Sequence, residues 1–283
     1  MAVQHDETTF SGAQGMTLYC QSWRPTPPLR GTVALVHGFG EHSGRYTYLV
    51  DALTAQGYAV CALDHRGHGR SPGRRGHVDR WDDYREDIGG LLQLCRQAEP
   101  ATPLFLFGHS LGGLMVLNYA IHAPAGLRGV VASAPALAPA KVSPLLFYAA
   151  KALSAIKPDF GLDTGIDAGT ISRDAAEVKR YAGDPLTHSQ ATARLGTELE
   201  KTQVWTQAHA GDLQVPVLIY HGDGDRLVPI EGSRTFYSNL TLADKQFIEW
   251  PGGYHESHND VHRQAVFTAV NTWLDAHCLN HEL

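Results

Sequence analysis

The sequence predicts an α/β fold in which a mainly parallel sheet is covered by helices on both faces. Short apolar runs of strand length alternate with segments whose apolar residues recur at helical spacing. Strands that alternate with helices pair in parallel through right-handed crossovers, which gives three layers. A serine between two glycines, Ser110, stands where the strand Leu104 to Phe107 gives way to a helix. With 283 residues, the chain has room for one large domain of this kind and an insertion.

Seven strands are predicted, because each is a short apolar or alternating run bounded by glycine, proline or charged residues. In chain order they are Met16–Trp23, Gly31–Val36, Tyr58–Leu63, Leu104–Phe107, Arg128–Ala132, Val215–Tyr220 and Gln246–Trp250. Helices are predicted between them, including one from about Asp82 to Ala98 with apolar residues on one face. A final helix carries Val261, Val266, Val270 and Trp273. Ligands bind at the carboxyl ends of parallel strands, so the loops that follow these strands share one rim.

The alternation stops between Pro135 and Leu213, where only helices are predicted. They run from Ser143-Pro144 to Lys157-Pro158, from a Ser172 cap to Gly183, and from about Thr192 to Ala210. We therefore predict a core of residues 1–134 and 214–283 with a helical cap of residues 135–213 over the rim. The first cap helix is apolar nearly all round and includes Leu145 and Leu146. Packing on the core and an acyl-binding or membrane-docking surface are both compatible with this pattern.

Composition excludes several classes of protein. A formal net charge of -6 and a pI near 6.2 argue against nucleic acid, which requires a basic face. No apolar run could span a bilayer, and the first residues lack the features of a signal peptide, so we expect a cytoplasmic protein. The four cysteines lie far apart without metal-ligand spacing, so they are expected to be reduced, with no metal or cofactor. The oligomeric state is not indicated.

Ser110 is the predicted nucleophile. The chain turns sharply from strand to helix at this residue, and Gly108 and Gly112 let the two backbones come close together. Such a turn lifts the serine hydroxyl clear of the sheet edge and aims the N-terminus of the next helix at any oxyanion formed there. The alternative is a tight turn with an incidental serine.

A serine hydroxyl needs a base within hydrogen-bond reach and a third group that orients the base. The last two strands are followed by HGDGDRLVP and PGGYHESHND, which supply a carboxylate and a histidine in the order expected for this topology. Asp225 is favoured over Asp223 because it lies deeper in its loop. His255 is favoured over His258 because it comes first after the glycine turn. The oxyanion would be bound by two backbone N–H groups, those of Leu111 and Phe39.

Six motifs together resemble the monoacylglycerol lipase group of the α/β-hydrolase family, also known as lysophospholipases. They are HGFGEHSGRY, LDHRGHGRSPGRRGHV, GHSLGG, YAGDPL, HGDGDRLVP and GGYHESH. The resemblance implies the α/β-hydrolase fold, the triad Ser110, Asp225 and His255, and the oxyanion donors Phe39 and Leu111. It also implies a polar cluster near the glycerol headgroup, formed by Glu41, Arg45 and His258 with Tyr181 of the cap nearby. A salt bridge within the loop, and packing for Tyr181, are the alternatives.

The function expected from these residues and this resemblance is hydrolysis of monoacylglycerols to glycerol and fatty acid through an acyl-enzyme. A lysophospholipid would place its phosphate near Glu41, with only Arg45 to compensate, whereas glycerol hydroxyls can hydrogen-bond to both. The cap would hold the acyl chain and contact a membrane or micelle surface. A lysophospholipase, a general carboxylesterase on short-chain esters and a non-catalytic binding module are the alternatives.

Overall fold

A mainly parallel sheet of eight strands forms the centre of the protein. The computed structural model describes residues 2–138 and 151–278. Its strands are β1 Val3–Ser11, β2 Thr17–Pro25, β3 Gly31–Val36, β4 Tyr58–Leu63, β5 Leu104–His109, β6 Gly129–Ser133, β7 Gly161–Asp163, β8 Gln190–Thr192, β9 Val217–Gly222 and β10 Lys245–Trp250. The sheet order is β1-β2-β4-β3-β5-β6-β9-β10, and β2 alone runs antiparallel to the other strands of this sheet. The predicted fold class is confirmed.

Helices cover both faces of this sheet. They are α1 Thr47–Ala55, α2 Trp81–Ala98, α3 Leu111–His122, α4 Ala175–Gly183, α5 Ala193–Ala208, α6 Ile230–Asn239 and α7 Arg263–Cys278. One buried apolar cluster joins α2, α3 and α6 to one face of the sheet, and a second joins α1 and α7 to the other. The strands β3, β4, β5, β6 and β9 are buried along their whole length, which is why their sequences are continuous apolar runs.

The elements differ from the sequence analysis in four places, one of them a strand that was not predicted and three of them predictions that are wrong in detail. The strand β1 was not predicted, because it is polar and exposed along nearly its whole length. Helices alone were predicted in the insertion, but β7 and β8 form an antiparallel pair there. Val261 lies before α7 and is 60% exposed, so it belongs to no apolar helix face. The helix α4 is capped by Asp174, whose side chain accepts from the Ala176 N–H, while Ser172 donates its hydroxyl to the carbonyl of Asn259.

The insertion between β6 and β9 contacts the loops that follow β3 and β4. The N–H of His188 donates to the carbonyl of Gly40 at 2.8 Å, and the N–H of Thr192 donates to that of Gly76 at 2.9 Å. Residues 151–156 are helical, whereas the start of the first predicted cap helix, with Leu145 and Leu146, lies outside the described residues. Within residues 2–138 and 151–278, no helix has both the length and the apolar character needed to cross a membrane.

Candidate active site

The turn between β5 and α3 is as tight as its glycines suggest. Ser110 joins the two elements with φ 55° and ψ −116°, a conformation that residues with a Cβ rarely adopt. A Cβ built on Gly108 would lie 2.3 Å from the carbonyl oxygen of Gly112. A Cβ on Gly112 would lie 2.3 Å from the carbonyl oxygen of Val36 in β3. Any larger residue at either position would therefore push apart the backbones that hold Ser110 in place.

The predicted acid and base lie together on the loops after β9 and β10. Nδ1 of His255 lies 2.6 Å from Oδ2 of Asp225, whose side chain is fully buried. Oδ1 of Asp225 accepts from the backbone N–H groups of Leu227 at 2.8 Å and Val228 at 3.0 Å. Nε2 of His221 lies 3.0 Å from the same Oδ2 that His255 contacts. The carboxylate thus has four donors and one fixed orientation.

The surroundings of Asp225 and His255 favour a negative charge on the carboxylate and a positive charge on the imidazole. Burial alone would raise the pKa of the Asp225 carboxyl, but the charge of His255 and hydrogen bonds from two histidines hold that pKa below its ordinary value. Burial alone would lower the pKa of His255, but the adjacent Asp225 carboxylate outweighs it and raises that pKa above 6.5. Because Nδ1 faces the carboxylate, Nε2 of His255 is the nitrogen left to exchange a proton.

Ser110 and His255 line the same cavity at the carboxyl edge of the sheet. The other lining residues are Gly38, Phe39, Glu41, His109, Ile166, Ile171, Tyr181, Leu227, Val228 and Glu256. A Cβ built on Gly38 would lie 3.2 Å from Cβ of Ser110, so the loop after β3 passes directly beside the serine. The structure therefore brings the segments that carry both predicted oxyanion donors, Phe39 and Leu111, next to Ser110.

A buried ion pair lies beside this cavity. The Arg45 guanidinium contacts Glu256 through both of its terminal nitrogens, at 2.6 and 2.8 Å, and Glu41 at 2.9 Å. The ring of Tyr181 lies beneath the guanidinium, 4.6 Å from its carbon. Each of the three charged side chains is at most 4% exposed. The salt bridge that the sequence offered as an alternative to a headgroup role is present, and Arg45 is fully engaged by it.

Glu41 connects this ion pair to the loop beside Ser110. Its Oε1 accepts from the N–H of Gly38 at 2.7 Å and from the hydroxyl of Tyr46 at 2.6 Å. Burial raises the pKa of Glu41 despite the nearby Arg45. For Glu256, burial acts in the same direction, but the charge of Arg45 and its hydrogen bonds prevail and lower the pKa to about 2.

His258, which was expected near the headgroup, is not one of the described residues that line the cavity. Its fully buried ring stacks on Tyr46 with centroids 4.8 Å apart and meets the ring of His109 edge-on at 4.7 Å. Burial lowers its pKa to about 4. Of the other residues that the resemblance places near the headgroup, Glu41 and Tyr181 line the cavity, whereas Arg45 is not part of its lining.

Two residues of the site were missed at the level of sequence. His221 contacts the Asp225 carboxylate, and Glu256 binds Arg45 across 211 residues of chain. Both residues belong to the quoted motifs, since His221 begins HGDGD and Glu256 follows His255 directly, but the motifs do not indicate these contacts. No group of three or more histidine, cysteine, aspartate or glutamate side chains with a geometry suited to a metal ion occurs in the part of the chain that the structure covers.

A serine at a strand-to-helix turn, beside a carboxylate–histidine pair on the carboxyl edge of a mainly parallel sheet, is typical of serine hydrolases with the α/β-hydrolase fold. The chain belongs to the family described as serine aminopeptidase, S33, whose model matches residues 27–262. That match covers the sheet from just before β3 to the loop after β10. The predicted α/β-hydrolase fold is confirmed by this match and by the structures that resemble the chain.

Three relatives agree with this assignment. The chain is 35% identical to the monoacylglycerol lipase of Mycolicibacterium smegmatis over 273 residues, which are 96% of this chain and 97% of that protein. The crystal structure of Paleococcus ferrophilus monoacylglycerol lipase superposes with a TM-score of 0.85 and 39% identity, covering 93% of this chain and 100% of that one. A soluble variant of Saccharomyces cerevisiae monoglyceride lipase in complex with a substrate analogue superposes with a TM-score of 0.84 and 26% identity, covering 97% of this chain and 94% of that one. The predicted resemblance is confirmed, and the protein is a carboxylic ester hydrolase.

Proposed function

We propose that this protein hydrolyses monoacylglycerols to glycerol and free fatty acid through an acyl-enzyme on Ser110. His255 takes the proton from Ser110 as its oxygen attacks the ester carbonyl, and Asp225 orients the imidazole and stabilises its charged form. The backbone N–H groups of Leu111 and Phe39 bind the oxyanion. Glycerol leaves with the proton that His255 returns, and a water molecule activated by the same histidine then releases the fatty acid.

One observation carries this proposal. Ser110 and His255 line a single cavity while Nδ1 of His255 is held 2.6 Å from the buried carboxylate of Asp225. A buried carboxylate keeps the proton on Nδ1, so Nε2 is ready to accept one from a hydroxyl in the cavity. The arrangement supplies a base for Ser110 without any further group.

The charges around the cavity support a neutral headgroup. Besides His255, the ionisable side chains that line its described part are Glu41, Glu256, His109 and Tyr181, and neither lysine nor arginine lines that part. A phosphate would meet two carboxylates whose cation, Arg45, is already engaged by both. Glycerol hydroxyls can donate to carboxylate oxygens without carrying a charge into a buried site. The names of the relatives support the same substrate class.

We also propose that residues 135–213 form a cap over a core of residues 1–134 and 214–283. Contacts of the insertion with the loops after β3 and β4 support this division. The cap would hold the acyl chain, with Leu145 and Leu146 of the first helix predicted from the sequence in contact with it. We further propose that the protein is cytoplasmic and contacts a membrane or micelle transiently. Three apolar residues of the insertion, Ile156, Phe160 and Leu162, are exposed and support this contact.

The test is fatty-acid release from a medium-chain monoacylglycerol, with Ser110→Ala as the control. Parallel assays use the matching di- and triacylglycerols, a lysophospholipid and a short-chain ester. An aminoacyl amide is added because the matching family is described as serine aminopeptidase. Selective turnover of the monoacylglycerol that depends on Ser110 supports the proposal. Turnover of the short ester alone would indicate a general carboxylesterase, and turnover of the lysophospholipid alone a lysophospholipase. No release from any substrate would indicate a binding module.

The same assay tests the membrane contact. The monoacylglycerol is supplied at concentrations below and above the one at which it forms micelles. A protein that docks on a lipid surface should show a rise in rate as micelles appear, whereas a smooth saturation curve through that concentration would contradict the contact.

A further inference from the structure

A second buried histidine shares the carboxylate oxygen that holds His255. Nε2 of His221 lies 3.0 Å from Oδ2 of Asp225 and 3.2 Å from the carbonyl oxygen of Val228. Nδ1 of His221 lies 2.8 Å from Oγ of Ser233. His221 and Ser233 are fully buried, at 0% exposure. His221 lies at the end of β9 and Ser233 in α6, so two separate elements bring them to the acid.

The partners of His221 determine which of its nitrogens carries the proton. Both neighbours of Nε2, the carboxylate and the carbonyl of Val228, can only accept hydrogen bonds, so Nε2 must be the donor. Nδ1 then accepts from the hydroxyl of Ser233. The neutral tautomer with its proton on Nε2 satisfies every polar atom of the ring, and the other tautomer would turn a lone pair toward a buried carboxylate.

The two oxygens of Asp225 are held in different ways. The N–H groups of Leu227 and Val228 fix Oδ1 to the backbone of its own loop. Only His221 and His255 contact Oδ2 among the described residues. His255 gains and loses a proton during the proposed reaction, so its hydrogen bond to Oδ2 changes in strength at each step. His221 takes no part in the proposed proton transfer, so its contact with Oδ2 does not change from step to step.

We propose that His221 is a positioning residue, which holds Oδ2 of Asp225 toward His255, and that Ser233 fixes the orientation of the His221 ring. This inference rests on the proposed function, because it assigns His221 a role only through the triad. Without the N–H of His221, the carboxylate loses one of its four donors and can rotate about the two that remain on Oδ1. The potential at His255 also becomes more negative, because the positive end of an N–H dipole has been removed from the shared oxygen.

The test compares His221→Phe with His221→Gln. Phenylalanine keeps a planar ring but cannot donate, whereas glutamine can donate its amide N–H to Asp225 and accept from Ser233. We expect His221→Phe to lower kcat roughly 10–100-fold with little change in KM, the usual loss for a donor to a charged group. The acidic limb of its kcat/KM profile should move to higher pH. His221→Gln should recover most of the rate and the parental profile, and Ser233→Ala should lose only a few-fold.

A readout that needs no substrate separates this inference from the proposed function. A fluorophosphonate that labels activated serines is reacted with each variant across pH, and labelling is mapped to Ser110. Absence of labelling in the parent protein would refute the proposed nucleophile. If the parent is labelled, equal rates and equal pH profiles for the parent and His221→Phe would overturn the positioning role.

Two controls address folding and packing. His209→Phe is the matched control, since His209 stacks on Trp205 with ring centroids 4.0 Å apart and makes no contact with the triad in the described part of the chain. Equal losses for His221→Phe and His221→Gln would indicate a packing role for the imidazole and overturn the inference. If His221→Phe does not fold, the other two variants carry the test. The inference is then overturned if Ser233→Ala keeps the parental rate and pH profile and His221→Gln does not keep the parental pH profile.

Discussion

Replacing Arg45 with methionine should destabilise the protein strongly, because it leaves Glu41 and Glu256 buried without their cation. The three side chains are at most 4% exposed and joined by contacts of 2.6 to 2.9 Å. Removing one partner of a buried ion pair costs about 3–5 kcal/mol. In a chain of this size, each kcal/mol lowers Tm by about 2–4 °C, so we expect a fall of roughly 6–20 °C, measured by thermal unfolding followed by circular dichroism.

Arg234→Met is the matched control for that experiment. Arg234 also contacts two carboxylates, Glu249 at 2.6 Å and Glu231 at 3.6 Å, but its side chain is 45% exposed. Exposed ion pairs contribute about 0–1 kcal/mol, so the Tm of this variant should stay within about 4 °C of the parent. The two substitutions therefore remove the same chemical group and differ mainly in burial.

The pH dependence gives the stronger test of the Arg45 prediction. Without Arg45, the folded-state pKa of Glu41, which burial already raises, should rise further, and that of Glu256 should rise above its unfolded value. Groups of that kind add stability below the unfolded pKa and lose it as pH rises through the folded pKa. The Tm difference between Arg45→Met and the parent should thus narrow as pH is lowered toward about 5. Equal melting of the Arg45 and Arg234 variants, or a difference that does not depend on pH, would refute the reasoning.

Two further predictions concern the turn and the base. Gly112→Ala should lower Tm and abolish fluorophosphonate labelling of the serine at the turn, because the new Cβ would lie 2.3 Å from the carbonyl oxygen of Val36. Gly196→Ala in α5 is the control, since it has open space around it and should leave Tm and labelling unchanged. Normal labelling of Gly112→Ala would contradict this account. The parental kcat/KM should rise with pH through a pKa above 6.5, since attack requires neutral His255 and Asp225 raises its pKa. Asp225→Asn should move that limb to lower pH, and an unmoved limb would count against the pairing.

The core of the fold could be predicted because its strands are continuous apolar runs. The strand Gly31–Val36 and the strand Tyr58–Leu63 have the same bounds in sequence and structure. The strand β1 could not be found in this way, because its stability comes from backbone pairing with β2 and not from burial of its own side chains. Likewise, β7 and β8 are three residues each and too short for any periodicity to show.

In the site, as in the fold, some features could be predicted from local sequence patterns and others could not. Glycine spacing and the chain order of serine, acid and base are local patterns, so the sequence alone predicts that Ser110, Asp225 and His255 share one rim. A contact such as that between Arg45 and Glu256 joins positions 211 residues apart, and nothing near either residue indicates it. The contact of His221 with Asp225 could not be predicted for a different reason. His221 is one of 16 histidines and lies at the end of a buried strand, so nothing in the sequence distinguishes it from the others.

The backbone of Ser110 has a consequence for engineering. At φ 55° and ψ −116°, glycine would relieve strain that any residue with a Cβ must bear, of the order of 1–3 kcal/mol. A directed-evolution library selected only for heat resistance or soluble yield would therefore be drawn toward glycine at this position. Its most robust members would lack the hydroxyl that the reaction is proposed to need. Selection of this scaffold should couple every stability screen to turnover, so that gains in robustness are not made at residue 110.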